Sequence, residues 1–173
     1  LQASGGLQYF WSPATGLSAN NIANPIASPT VTTQYIVAGL TSSGCVSLDT
    51  IVVTVNPQPQ ADAGADQVLC NGAAVQLQAS GGVSYSWNPA AGLSATNIAN
   101  PTALPTQSTN YIVTVTNASG CSSTDTVRVF VPRVLAGSNQ NICRGSSVQL
   151  QANLVGAPAG AVSYAWSPAN GLS

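Results

Sequence analysis

Short runs of alternating hydrophobic and polar residues recur along the chain. They are clearest at residues 75–79, 83–87 and 111–115, where every second residue is apolar. Alternation with a period of two predicts β-strands that bury one face, and Gly, Pro and Asn separate these runs as turn residues do. No run has the spacing of an amphipathic helix. The chain is therefore predicted to be all-β.

The alternation also predicts which residues form the core. The face of the 83–87 run that should be buried holds Val83, Tyr85 and Trp87. Residues 88–107 contain three prolines, which central strands exclude, so this stretch is predicted to be a crossing loop with one short edge strand. Three apolar residues are expected to pin the loop to the core: Leu93, Ile98 and Leu104. Phe10 interrupts the first Tyr-x-Trp pair and is predicted to point to the opposite, exposed face.

A second pattern is a long internal repeat. The string Leu-Gln-Ala-Ser-Gly-Gly occurs at Leu1 and at Leu77, and the residues after each copy match at a constant offset of 76. The matched pairs include Tyr9 and Tyr85, Trp11 and Trp87, Pro13 and Pro89, Gly16 and Gly92, Cys45 and Cys121, and Asp49 and Asp125. A third copy opens at Leu150. Identity at a fixed period predicts an array of domains.

The repeat sets the predicted domain boundaries. Residues 1–57 are the C-terminal part of a first repeat, residues 61–132 a complete second repeat, and residues 134–173 the N-terminal part of a third. The connections at 56–60 and 132–134 contain proline, which favours extended and semi-rigid linkers. Short alternating strands with close turns are typical of immunoglobulin-like antiparallel β-sandwiches. We expect such sandwiches in tandem, arranged end to end.

Charged residues are nearly absent, and this excludes several function classes. The chain has three Arg, four Asp and no His, with a net charge of −1. Such a chain offers no electrostatic surface for nucleic acid. No apolar run approaches the ~20 residues of a membrane-spanning helix, so direct membrane insertion is not expected. Low charge does permit lateral association of identical chains.

Cysteines occur at two different positions of the repeat. Cys45 matches Cys121, and Cys70 matches Cys143. The chain has no His and no Cys-x-x-Cys pair, which argues against a zinc site. One disulfide per repeat, Cys70 with Cys121 in the complete one, is the simplest prediction, with partners for Cys45 and Cys143 outside residues 1–173. Bridges between successive repeats are the alternative, and either arrangement indicates an oxidising compartment.

The few acidic residues limit the chemistry that the chain can perform. General acid–base catalysis needs paired titratable groups in a pocket, and the only close pair in the sequence is Asp62 and Asp66. We therefore expect no enzyme activity, no cofactor and no firmly held metal. Asp62 and Asp66, with nearby backbone carbonyls, are a candidate for a weak calcium site. Their alternative role is to shape turns.

Several of these motifs together resemble a known family. They are Ala61-Asp-Ala-Gly-Ala-Asp66, Cys70-Asn-Gly72, Tyr85-Ser-Trp87, Gly92-Leu-Ser94, Gly120-Cys121 and Asp125-Thr126. This set is similar to the PKD/immunoglobulin-like repeats of giant surface adhesins and filament proteins from gliding and predatory Bacteroidota, which the type IX route secretes. The resemblance covers essentially the whole chain. It implies an extracellular location on a cell-surface appendage and roles in adhesion, gliding motility or filament formation.

The resemblance also suggests a modification. Asp49-Thr50-Ile51 and Asp125-Thr126-Val127 resemble the Asp-Ser/Thr-aliphatic motif for O-glycans in this bacterial group. Thr50 and Thr126 are therefore candidate glycosylation sites in a surface glycoprotein. The alternative is that Asp-Thr simply belongs to the last strand of each repeat.

The predicted function is structural. We expect the chain to be a repeat segment in the shaft of an extracellular filament or giant adhesin that serves attachment, gliding, or contact with prey or surfaces. The expected partners are adjacent repeats of the same chain, identical chains in a bundled fibre, and glycans. The alternative function is an immunoglobulin-like module that itself binds polysaccharide or a partner surface.

Overall fold

The computed structural model describes residues 1–70, 72–160, 162–168 and 170, and in these residues the chain contains strands and no helix. The all-β prediction is therefore confirmed. The strands are β1 (Gln8–Ser12), β2 (Thr33–Leu40), β3 (Val46–Val53), β4 (Gln67–Val68), β5 (Val75–Gln76), β6 (Ser84–Asn88), β7 (Thr102–Ala103), β8 (Thr109–Thr116), β9 (Ser122–Phe130), β10 (Arg133–Leu135) and β11 (Asn153–Val155). The chain divides into two compact units, unit 1 (Leu1–Pro57) and unit 2 (Gln58–Ser173).

Unit 1 is built on an antiparallel sheet in the order β1-β2-β3. Strand β1 places Trp11 opposite Val37, and β2 places Tyr35 opposite Ile51. Trp11 and Tyr35 are buried. Strand β3 forms the edge of this sheet in the described residues, and nearly all of its side chains are exposed.

Unit 2 contains a four-stranded sheet in the order β4-β9-β8-β6 and a two-stranded sheet of β5 and β7. Strands β6, β8 and β9 are antiparallel, whereas the short β4 runs parallel to β9. The pairings of β6 with β8 and of β8 with β9 repeat those of β1, β2 and β3 at the same offset of 76 residues: Trp87 lies opposite Val113, and Tyr111 lies opposite Val127. The repeated sequence therefore forms the same sheet twice.

The core of unit 2 draws on both sheets. Its buried cluster is Ala63, Leu69, Leu77, Ala79, Trp87, Ala103, Tyr111, Val113, Val115, Val127 and Val129. Alternate residues of β8 and β9 point into this cluster, which follows from the period of two. An apolar layer shared by two sheets whose strands are antiparallel except for β4 is compatible with a β-sandwich.

Of the three residues predicted to hold the crossing loop, only Leu93 packs against the core, where it is partly buried. Leu104 and Ile98 are exposed, while Pro101, Ala103 and Pro105 are buried. The reason is that β7 pairs Ala103 with Val75 and so turns Ala103 inward, which leaves its neighbour Leu104 on the outer side. The prediction that Val83 is buried is also wrong: it precedes β6 and is 69% exposed.

Tyr111 joins the crossing loop to the sheet. It is fully buried, and its hydroxyl donates a 2.7 Å hydrogen bond to the carbonyl of Ala91. Burial raises the pKa of this hydroxyl above its ordinary value because the charged phenolate would lose its hydration. The folded protein therefore holds this proton more tightly than the unfolded chain does.

This pKa shift predicts a loss of stability in alkali. The contribution of Tyr111 is fully present below the unfolded pKa of about 10, and it is lost as the pH rises through the higher folded pKa. Denaturant unfolding of the chain from pH 8 to 11 should show this decline. Tyr111→Phe, which has no hydroxyl to titrate, should show a smaller decline. Equal slopes for the two proteins would contradict the assignment.

The second and third predicted repeats lie together in unit 2. Strands β10 and β11 are antiparallel and pair Leu135 with Asn153. These two residues are the third-repeat equivalents of Asp62 and Ser80, which form a bridge in the second repeat. The hydroxyl of Ser108 accepts the N–H of Val131 at 2.9 Å and donates to the carbonyl of Gly156 at 3.0 Å. Ser108 therefore connects Gly156 of the third repeat to Val131, the residue that follows β9.

Candidate functional site

The aspartates of unit 2 fasten the first segment of the repeat to its last strand. Asp125 on β9 accepts the backbone N–H of Ala63 at 2.8 Å. In the other direction, Asp66 accepts the backbone N–H of Arg128 at 2.8 Å. The backbone pairing of this segment with β9 begins only at Gln67. Before that residue, the two carboxylates supply the hydrogen bonds between the segment and β9.

The candidate calcium ligands have identifiable structural roles. Asp62 accepts the N–H of Gly64 at 2.9 Å, which is a local turn, and Asp66 is bonded to Arg128. Both residues are exposed, and no cluster of three metal-ligating side chains occurs in the part of the chain that the structure describes. A weak calcium site at Asp62 and Asp66 stays a prediction.

The tryptophans of the first two Tyr-x-Trp pairs belong to the buried residues, whereas Tyr164 and Trp166 of the third pair are 44% and 38% exposed. Trp11 and Trp87 are 4% and 3% exposed, and each indole N–H donates a 2.9 Å hydrogen bond to a loop carbonyl, of Ile22 and Ile98 respectively. A buried indole with a satisfied donor cannot stack on a sugar from solvent. Phe10, between the first pair, is 54% exposed, as predicted.

The predicted disulfide between Cys70 and Cys121 does not form. No disulfide joins any of the four cysteines, all of which lie in the described residues. Because β4 is parallel to β9 and Val68 pairs with Phe130, Cys70 lies beyond the end of β9, whereas Cys121 immediately precedes its first residue. The length of β9 at ~3.3 Å per residue separates the two by roughly 30 Å, far beyond the ~7 Å Cα separation that a disulfide allows. Partners for Cys45 and Cys143 outside residues 1–173 stay a prediction.

The position of these cysteines predicts how the chain responds to a reducing agent. An internal bridge would contribute about 2–4 kcal/mol and would therefore shift the melting temperature of such a small domain by roughly 10 °C or more. We expect the melting temperature of the monomeric chain to be unchanged by reductant and by Cys70→Ser. A fall of that size in calorimetry with reductant would contradict the strand order β4-β9-β8-β6.

The two Asp-Thr motifs occupy equivalent and accessible positions. Thr50 lies opposite Ile36 and Thr126 opposite Ile112, and both threonines are exposed. In unit 1, Asp49 accepts the N–H of Thr50 at 2.8 Å. The hydroxyl groups are therefore placed where a sugar could be attached without disturbing the core.

Glycosylation of these residues is directly measurable. If the motif resemblance is correct, mass spectrometry of the protein from its native source should find hexose-type additions on Thr50 and Thr126. Thr124 is a matched control because it is exposed on the same strand but has no preceding Asp. If Thr50 and Thr126 were unmodified, or if Thr124 were modified equally, the Asp-Thr motif would not be a glycosylation signal in this protein.

Comparison with protein-family models gives no match, and comparison with curated proteins gives none either. Among the described residues there is no helix that is long and apolar enough to cross a membrane.

Proposed function

We propose that the chain is a structural segment of tandem immunoglobulin/PKD-like repeats in the shaft of an extracellular filament or giant cell-surface adhesin. The main support for this proposal is that the two units contain the same internal contacts. The indole bonds of Trp11 and Trp87 have the same length and equivalent acceptors. The hydroxyls of Tyr35 and Tyr111 likewise donate to equivalent loop carbonyls, at 2.8 and 2.7 Å. Side chains used in this way maintain the fold, and they do not distinguish one unit as a binding site.

The mechanism in this proposal is mechanical. Unit 1 and unit 2 each bury residues of their own, and the proline-containing segment around Asn56–Gln60 gives a short, semi-rigid connection. The low charge of the chain reduces repulsion between neighbouring copies, which supports lateral bundling. The family resemblance supports a cell-surface location, secretion by the type IX route, and service in attachment or gliding.

Surface accessibility tests the proposed location. An antibody against the chain should label intact cells of the source organism, and brief protease treatment of intact cells should remove the label. Protection of the protein until the cells are lysed would contradict an extracellular shaft. An internal protein that stays protected throughout serves as the control for lysis.

The alternative function, binding of polysaccharide or of a partner surface, is favoured by one observation. Phe10 is an exposed aromatic residue in unit 1, and Ser86 takes its place in unit 2. A glycan array probed with the chain separates the two functions. A specific signal that is lost in Phe10→Ser, the residue of unit 2, supports the binding module, and the absence of a signal supports the shaft.

A further inference from the structure

The sheet of unit 1 has an apolar outer face, whereas the same face in unit 2 is polar. The outer face is the side of β1, β2 and β3 that points away from the buried Trp11 and Tyr35. Its apolar residues are Phe10, Ile36, Ala38, Leu40, Val46, Leu48 and Val52. Their equivalents in unit 2, at the offset of 76 residues, are Ser86, Ile112, Thr114, Thr116, Ser122, Thr124 and Arg128. The two units therefore share their core residues but not the chemistry of this surface.

The complete repeat in unit 2 shows that this face is an outside surface of the domain. The first segment of that repeat adds β4 beside β9 within the sheet. The next segment contributes Leu77 and Ala79 to the core on the opposite side. Ser86 and Thr124 on the outer face remain exposed. All the strands of a repeat therefore leave its outer face open to solvent.

The middle of the outer face of unit 1 has two large side chains with a small one between them. Phe10 lies opposite Ala38, and Ala38 lies opposite Leu48, so the three form one row across the sheet. Phe10 and Leu48 are 54% and 68% exposed, whereas Ala38 is partly buried. The row therefore has a hollow over Ala38 that a ring or a branched aliphatic group can fill. The same row in unit 2 consists of Ser86, Thr114 and Thr124.

The charges of the two units determine which partner fits each outer face. The outward positions of β1, β2 and β3 hold no charged residue, because Asp49 lies opposite Val37 on the core side. A charged protein or an anionic membrane therefore finds no opposite charge on this face. In unit 2 the guanidinium of Arg128 lies 4.6 Å from the ring centre of Phe130. Two copies of the unit 2 face would bring like charges together, whereas two copies of the unit 1 face would not.

The area of the outer face of unit 1 is sufficient for a dimer. Its five most exposed apolar side chains are between 42% and 68% exposed and form a patch of roughly 500 Å². Two such patches placed face to face bury about 1,000 Å² in total, which is the lower end for specific protein–protein interfaces. Polar residues border the patch, as they border the core of an interface: Gln8, Ser12, Gln34 and Thr50.

We propose that the outer face of unit 1 binds the same face of a second copy of this chain. A two-fold axis relates the copies, so that Phe10 of each one fills the hollow over Ala38 of the other. A contact of this kind uses one surface twice and closes as a dimer. Its biological role rests on the proposed function, because it gives the lateral bundling of neighbouring shafts a defined surface.

Sedimentation velocity of the chain is the first test of this contact. The protein is produced without O-glycans, because Thr50 lies beside the patch, and reductant is present to prevent thiol linkage. The wild type should change from monomer to dimer between micromolar and millimolar concentration.

Variants that place the residues of unit 2 into unit 1 assign the dimer to this face. Phe10→Ser and Leu48→Thr should each weaken dimerisation about tenfold or more, because each removes a large apolar side chain from the centre of the contact. Ile26→Thr is the matched control. Ile26 is 71% exposed in unit 1 but lies outside the three strands, and Thr102 takes its place in unit 2. Its dimerisation should be unchanged.

Hydroxyl-radical footprinting of the wild type keeps the test independent of the folding of any variant. Phe10 and Leu48 should be oxidised less at millimolar than at micromolar concentration, while Val83, which is 69% exposed in unit 2, should be oxidised equally at both. A chain that is monomeric at millimolar concentration would overturn the proposal. A dimer in which Phe10 stays fully reactive, or one that persists unchanged in Phe10→Ser and Leu48→Thr, would also overturn it. None of these results alters the labelling of intact cells, so a failure of this contact is distinguishable from a failure of the proposed function.

Discussion

Trp87→Ala should lower the free energy of unfolding of unit 2 by about 3–5 kcal/mol, which is the usual cost of removing a large buried aromatic side chain. Trp87 is 3% exposed and belongs to the core cluster, and its indole N–H donates a hydrogen bond to the carbonyl of Ile98 in the crossing loop. The substitution therefore leaves a cavity and an unpaired carbonyl. Hydrogen exchange of the β8 and β9 amides reports this loss for unit 2 alone.

Two controls isolate the cause of this loss. Val83→Ala changes a side chain that is 69% exposed beside the same strand, and it should cost less than about 0.5 kcal/mol. Trp87→Phe keeps most of the ring but removes the indole donor, so its cost should lie between those of the other two variants. If Trp87→Ala cost no more than Val83→Ala, the assignment of the Tyr-x-Trp pair to the core would be wrong.

Gly92→Ala should also be strongly destabilising, because two separate effects act at this position. Gly92 has a φ of +80°, which costs a residue with a Cβ about 1–2 kcal/mol. A Cβ there would in addition lie 2.9 Å from the backbone of Pro105 and 3.0 Å from the hydroxyl of Tyr111. Pro105 is buried and cannot move aside without disturbing the core.

Gly120 separates the two effects. It has the same φ of +80°, but nothing lies within 4 Å of the position of its Cβ. Gly120→Ala should therefore cost only the conformational term, and Gly92→Ala about 1–3 kcal/mol more. Denaturant unfolding of the two variants side by side measures the difference. Equal losses would show that the crossing loop does not pack closely against Gly92.

The local alternation of the sequence is sufficient to predict most of the strands. The run at 111–115 lies within β8, and the run at 83–87 overlaps β6, because a strand buried on one face imposes a period of two. Val83 is the first residue of its run and lies just before β6, whose pairing with β8 begins at Ser84. The alternation therefore predicts its burial wrongly, because only residues within the paired strand have a face that is turned to the core. The repeat also predicts correctly that equivalent residues make equivalent contacts, as the two tryptophans do.

The features that could not be predicted depend on contacts between distant segments. The direction of β4 relative to β9 decides that Cys70 and Cys121 lie at opposite ends of the sheet, and no local pattern around either cysteine encodes that direction. The roles of Asp66 and Asp125 as acceptors for backbone N–H groups depend on the same pairing. Likewise, Leu104 and Ala103 are both apolar, and only the pairing of β7 with β5 determines which of them is buried.

If these repeats form the shaft of an extracellular filament, as proposed, electron microscopy of the native assembly, labelled with an antibody against the chain, should locate them along that filament. A strand of about ten residues spans about 33 Å, so one repeat should advance the shaft by roughly 35–45 Å. The proposal predicts label along the length of surface filaments and an axial repeat of that size. Label that is absent from filaments, or confined to their tips, would contradict it.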